Sequence, residues 1–291
     1  MLSASRLRDF HPARVASMDC LIARIRAEAH TSDGSVWVLP NVRFAFFSIL
    51  LSIIRVDEVM KRVLPTIRPR MEDYIPFLRP FFANNQKKNP NLELNVAPFP
   101  YIDSLLDLKV DGCDSVPTNP ELVTLCSELI NGGTDTTSTA IEWAMARIID
   151  NLDIEDKLYK DIVSVVGDRP MDDPHLEKMP YLKAFVKELL QKHPSMYFSL
   201  THAAVEATKL GGYDIPPDTN LEMFLLMIAE DERLWSKPLE FNPEQFISGG
   251  ETTDITGSAG IRMILYGAGW RICPGLAIGM TPISLMVARM V

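Results

Sequence analysis

Tyr266-Gly267-Ala268-Gly269-Trp270-Arg271-Ile272-Cys273-Pro274-Gly275 is the most constrained stretch of this 291-residue chain. A cysteine that ligates a metal does so as the thiolate, and that charge needs support. Glycines at 267, 269 and 275 let the backbone turn tightly and bring N–H donors toward the sulfur. Pro274 can open a following helix, which sets a positive dipole end beside Cys273. Arg271 adds a cation able to pair with an anionic group. The competing reading is a free buried cysteine in a glycine-rich turn. It must treat three glycines, an arginine and a proline within ten positions as coincidence. A metal-ligating Cys273 accounts for all of them.

Upstream lies Gly132-Gly133-Thr134-Asp135-Thr136-Thr137. Asn119-Pro120 reads as a cap and a first helical position, so a helix is expected from there to about Asp150. The Gly-Thr-Asp run then falls mid-helix, where each glycine weakens the helix by about 1 kcal/mol relative to alanine. An acid beside a hydroxyl on a glycine-loosened turn can carry protons to a bound reactant. The alternative is a polar, Thr-rich stripe that only bends the helix.

Further helices are predicted over Ile154–Val166, stopped by Gly167, and from Pro180 to the Pro194 stop. Short strands are predicted at Ala204–Leu210, Tyr213–Ile215 and Asn220–Leu225, with Gly211-Gly212 as a turn. Phe241-Asn242-Pro243-Glu244-Gln245-Phe246 reads as a loop, and a last helix begins near Pro274. In the first 75 residues, Val15, Met18, Ile22 and Ile25 form an amphipathic stripe. Asn84–Pro100 reads as a loop. The class is mainly α (α+β), with a long central helix, a small β region and the cysteine loop.

Composition narrows the function. The net charge of −9 argues against nucleic acid as the main partner. The four cysteines, Cys20, Cys113, Cys126 and Cys273, show no CxxC spacing, which removes a zinc site and favours free thiols. Phe44–Ile54 is apolar for 11 residues only, against the roughly 20 of a membrane span, so it is expected to be a buried core helix. From these patterns neither a membrane anchor nor a secretory signal is expected within the 291 residues.

The Tyr266–Gly275 loop resembles the haem-binding signature of cytochrome P-450 proteins, aromatic-x-x-Gly-x-Arg-x-Cys-x-Gly. Tyr266 stands where phenylalanine is usual, so its hydroxyl needs a partner. The resemblance implies a haem-thiolate monooxygenase carrying haem b (iron protoporphyrin IX), with Cys273 as axial iron ligand and Tyr266, Gly267, Gly269, Arg271 and Gly275 shaping its loop. It makes Thr136 the oxygen-contacting hydroxyl and Asp135 the proton-delivery acid. His202 matches a propionate contact, although a lone histidine is as readily an ordinary surface or core residue. Phe198 and Leu200 would face a hydrophobic substrate. It implies electrons from NADPH through a cytochrome reductase, with cytochrome b5 as a further donor. It also implies the cytosolic face of the endoplasmic reticulum, or the cytosol for an anchorless chain.

Two positions depart from the family pattern. Glu188 and Gln191 share a helix face where the family has Glu-x-x-Arg, and Gln245 stands where a later loop supplies a second arginine. Removing a cation from a buried ion pair costs about 3–5 kcal/mol, so Glu188 is expected to be left uncompensated unless it is solvated. The finer wording of Tyr197–His202, Gly212–Pro216 and Phe246–Gly250 resembles a plant microsomal group acting on fatty acids. The whole chain reads as a single domain truncated at both ends, with a partial helical region over 1–117 and the helix-to-cysteine-loop region over 118–291. Ile54–Asp57 and Asn84–Asn91 look shortened. A haem binder without turnover, or an inert fragment, is the alternative to an active enzyme.

Overall fold

A computed structural model describes residues 7–54, 101–106, 116–169, 171–247, 254–256 and 262–291. The Asn84–Pro100 loop, Cys113 and the segment after Ile54 lie outside these residues, as does Ser248–Gly250. The chain forms two compact units, Met1–Asp135 and Thr136–Val291.

The first unit contains α1 (His11–Thr31), α2 (Val38–Ile54), α3 (Tyr101–Leu106) and the first half of α4 (Asn119–Asp150). α1 and α2 pack as a helical hairpin. Its turn uses positive φ at Asp33 and Gly34 (54° and 83°), and Gly34 N–H donates to Ala29 O at 2.9 Å. The Glu28 carboxylate crosses the hairpin, accepting from Trp37 N–H at 3.0 Å and from Asn41 Nδ2. Those donors, the backbone one first, hold its carboxyl below the usual range. On α1 the buried face is Arg14, Ser17, Met18 and Leu21, so only Met18 of the expected stripe is fully covered. α2 is the core helix expected from Phe44–Ile54, with Phe46, Phe47, Ile49, Leu50, Ile53 and Ile54 all buried. No helix among the described residues is long and apolar enough to cross a membrane.

The second unit is organised on α6 (Pro180–Lys192), which packs against α5 (Leu152–Val166), α7 (Leu225–Ala229), α8 (Leu276–Met290) and a 3-10 turn at Pro243–Phe246. Leu182, Phe185, Val186 and Leu189 form one buried stripe of α6, and Tyr181, Ala184, Glu188, Leu190 and Gln191 extend burial beyond it, so only a narrow face around Lys183 stays open. Its first turn is capped from α5, because Asp161 Oδ2 accepts from both Tyr181 N–H and Leu182 N–H at 3.0 Å. α5 buries Ile154, Leu158, Ile162 and Val166, one residue per turn, and ends at Gly167 with φ 59°.

The strand expected at Tyr213–Ile215 is present with those bounds, those expected at Ala204–Leu210 and Asn220–Leu225 are shorter, and His202–Ala203 adds one that was not expected. β1 (His202–Ala203) pairs antiparallel with β4 (Asn220–Leu221), and β2 (Thr208–Leu210) with β3 (Tyr213–Ile215). Gly211 and Gly212 both have positive φ (58° and 87°), as a tight two-residue hairpin requires. Leu225 does not end a strand but begins α7, where Leu225 and Ala229 turn inward. Ala204 does not extend a strand either. Its N–H and carbonyl bond to Thr219 and Asp218 instead. α8 begins at Leu276, two residues beyond Pro274, with Gly275 as its cap.

Candidate functional site

Cys273 is held by its backbone. Its N–H donates to Tyr266 O at 2.6 Å, which closes the loop on itself. That closure needs the left-handed region at Gly267 (φ 69°) and Gly269 (φ 60°). A side chain on Gly267 would meet Arg271 O at 3.2 Å, so the backbone approaches too closely for a Cβ. Gly275 lies against the sulfur, with its Cβ position 3.7 Å from Cys273 Sγ. The thiol itself is partly exposed, and α8 opens three residues after it.

Tyr266 is the bridge from this loop to the helix above. Its hydroxyl donates to Met280 Sδ at 3.4 Å, which answers the need created by the tyrosine. Burial, and then the nearby Cys273, push its phenol well above the ordinary value. Gly279 of α8 sits where a Cβ would lie 3.6 Å from Thr137 Oγ1 and 4.0 Å from Tyr266 Oη. Cys273, Tyr266, Gly279 and Thr137 therefore form one connected set within the second unit. Thr137 is buried, and beside it Ser138 Oγ is buried without a hydrogen-bond partner among the described residues. Thr136 is half-buried, and its carbonyl accepts from Ser195 Oγ at 2.9 Å.

The remaining expected residues stand elsewhere. Asp135 is exposed and pairs with Arg43 of α2 at 3.0 Å. Gly133 does not leave open space, because its Cβ position is 3.0 Å from Leu50 Cδ1 and near Phe46. Its role here is close helix packing in the first unit. Trp270 is fully at the surface and Arg271 is exposed. His202 is half-buried on β1. Phe198 and Leu200 are exposed, and Phe198 stacks on Phe224 with ring centroids 4.8 Å apart.

Glu188 is not left in water. It is fully buried, with Oε1 accepting from Asn242 N–H at 2.9 Å and Oε2 from Gln245 Nε2. Gln245 Nε2 also donates to Gln191 Oε1 at 3.2 Å, and Gln191 Nε2 to Ala229 O at 2.9 Å. Lys192 Nζ lies 3.7 Å from Glu188 Oε1. Lys192 is thus a cation one helical turn from Glu188, while burial still raises the carboxyl above its ordinary value, as the missing arginines led one to expect. Sequence reading missed Lys192, Ser195, Gly279 and Met280. Of these, only Lys192 had a local signal, its Glu-to-Lys spacing of four residues on a helix.

These residues suit one kind of group. A single thiolate cannot hold a bare zinc ion, which takes about four ligands. It suits a metal whose other positions are filled by a macrocycle.

The cytochrome P450 family model matches residues 56–291. Cytochrome P450 98A1 of Sorghum bicolor is 38% identical over 191 residues, covering 65% of this chain and 36% of that protein. Flavonoid 3'-monooxygenase of Arabidopsis thaliana is 37% identical over 196 residues, covering 65% of this chain and 38% of its own length. (S)-N-methylcoclaurine 3'-hydroxylase isozyme 1 of Papaver somniferum is 33% identical over 208 residues, covering 72% and 39%. The chain thus spans less than half the length of these curated relatives. None of the three names mentions a fatty acid, so the fatty-acid expectation gains no support from them. A zebra fish cytochrome P450 structure with progesterone superposes with TM-score 0.73 at 19% identity, covering 99% of this chain and 72% of that one, a likeness of fold. The chain belongs to the cytochrome P450 family, whose cofactor is haem.

Proposed function

We propose that the chain is a haem-thiolate monooxygenase module acting on a hydrophobic small molecule. The observation that carries the proposal is the connected set from Cys273 through Tyr266 and Gly279 to Thr137, built on a glycine loop at a helix N-terminus. Bound haem would supply the activation of dioxygen that lets one oxygen atom enter a substrate. Cys273 Sγ would hold the iron as thiolate, with its charge supported by the backbone N–H groups after it. Arg271 and His202 would pair with the propionates. Asp135 would gather protons from solvent, and Thr136 Oγ1 would pass them inward. Exposed Phe198 and Leu200 would contribute apolar contacts to the substrate. Electrons would arrive from a reductase using NADPH. The names of the relatives make phenolic and alkaloid-like aromatics the first substrates to try, with fatty acids beside them.

A reduced, carbon monoxide difference spectrum of the chain supplied with haem tests this. A thiolate-type Soret band that disappears in Cys273→Ala supports the reading. A band unchanged by that substitution overturns it. A second reading, haem binding without turnover, is favoured by glutamine at 191 and 245. It predicts the thiolate band with no product from any substrate when reductase and NADPH are added.

A further inference from the structure

The buried carboxylate at position 188 has lost both guanidinium partners that the family pattern provides. Its neighbours account for hydrogen bonds but not for charge. Asn242 N–H and Gln245 Nε2 each donate to Glu188, and Gln191 links Gln245 onward to Ala229 O. All are neutral. A cation beside it among the described residues is Lys192, whose side chain retains 7% of its exposure while that of Glu188 retains none. A lysine that covered is rare unless paired. Its ammonium can donate three hydrogen bonds, and one is spent on Pro238 O. The order, Glu before Lys at four residues, is the favourable one on a helix.

We infer that Lys192 replaces the two family arginines as the counter-cation of Glu188, and so positions the 242–246 turn against α6. The carboxylate reaches the turn through Asn242 N–H, and Lys192 reaches the segment before it through Pro238 O. The ion pair and the amide chain together pin that segment at both ends. Its anchor residues are buried beside them: Phe246 packs against Trp235 with ring centroids 5.6 Å apart. Burial is the larger influence on both groups, raising the Glu188 carboxyl and lowering the Lys192 ammonium, and each partner's charge reduces that penalty without cancelling it. Other charged groups near Lys192 are Glu230, which supports its ionisation, and Arg147, which opposes it.

Urea unfolding of the full chain at neutral pH, followed by tryptophan fluorescence, tests the inference without bound haem, so its failure and that of the haem reading are seen separately. Four variants are compared: Lys192→Met, Lys192→Arg, Glu188→Gln, and Glu188→Gln with Lys192→Met. Lys192→Met is expected to lower the folded-to-unfolded ratio by roughly a hundredfold or more, because a buried charge loses its partner. Lys192→Arg should stay within about tenfold of the parent, the cost expected when charge is kept and geometry changed. The double variant should recover most of the loss, since no charge is then left unpaired. If Lys192→Met fails to fold, folding of the double variant still supports the pairing. A Lys192→Met chain as stable as the parent, or a double variant no better than Lys192→Met, overturns it.

Discussion

Gly267→Ala perturbs the cysteine loop at its tightest point. Two costs follow from the structure. An alanine at φ 69° sits in the left-handed region, which costs about 1–2 kcal/mol. Its Cβ would also lie 3.2 Å from the Arg271 carbonyl oxygen. That atom is backbone, two residues from Cys273, so relief requires bending the loop, at about 1 kcal/mol for a modest angular distortion. The sum is about 2–3 kcal/mol. Gly269 provides the control, because its φ is 60° but nothing lies within 4 Å of its Cβ position. Gly269→Ala should therefore cost only the conformational part, about 1–2 kcal/mol. Gly279 is the opposite case: it lies inside α8, and its Cβ would make ordinary contact at 3.6 Å with Thr137 Oγ1. Gly279→Ala should stabilise by up to about 1 kcal/mol through helix propensity. Urea unfolding of the three variants measures the order. A Gly267 variant no less stable than the Gly269 variant, or a Gly279 variant that loses as much as either, would refute the close-approach argument.

Phe185→Ala should cost about 3–5 kcal/mol in the same assay, because the ring is fully buried against Phe241. Trp270→Ala, at a fully exposed ring, should stay within about 0.5 kcal/mol. His193 stacks on Trp143 at 4.0 Å and accepts from Arg147 Nε at 2.8 Å, and burial, then Arg147 and Lys192, pull its imidazole from 6.5 to about 4. A depressed folded value means stability present above the unfolded value and lost as protons bind, so unfolding midpoints should fall as pH drops from 6.5 through about 4. His193→Phe should flatten that limb, and an unchanged slope would assign it to other groups. Burial pushes the Cys126 thiol up to about 11, while Cys20 is exposed. Iodoacetamide at mildly alkaline pH should label Cys20 in the folded chain and Cys126 only in urea, as read by peptide mapping.

Local patterns in the chain determined most of the helices and the nature of the cysteine loop. The proline at 180, the glycine at 167 and the apolar spacing of α5 and α6 act over a few residues, so they are legible without a fold. The glycines around Cys273 are of the same kind, since their positive φ is a backbone property. Strand ends were less legible, because pairing partners override propensity in two- and three-residue strands. Tertiary structure alone decided what the polar groups meet. Glu188 finds Asn242 at a separation of 54 residues, Tyr266 finds Met280 across 14, and Ser195 finds Thr136 across 59. Residue type announces that a buried carboxylate, phenol or hydroxyl needs a partner. Which group supplies it depends on how helices pack. For that reason two arginine-to-glutamine departures read in sequence as a lesion, and in the structure as a buried network closed by Lys192.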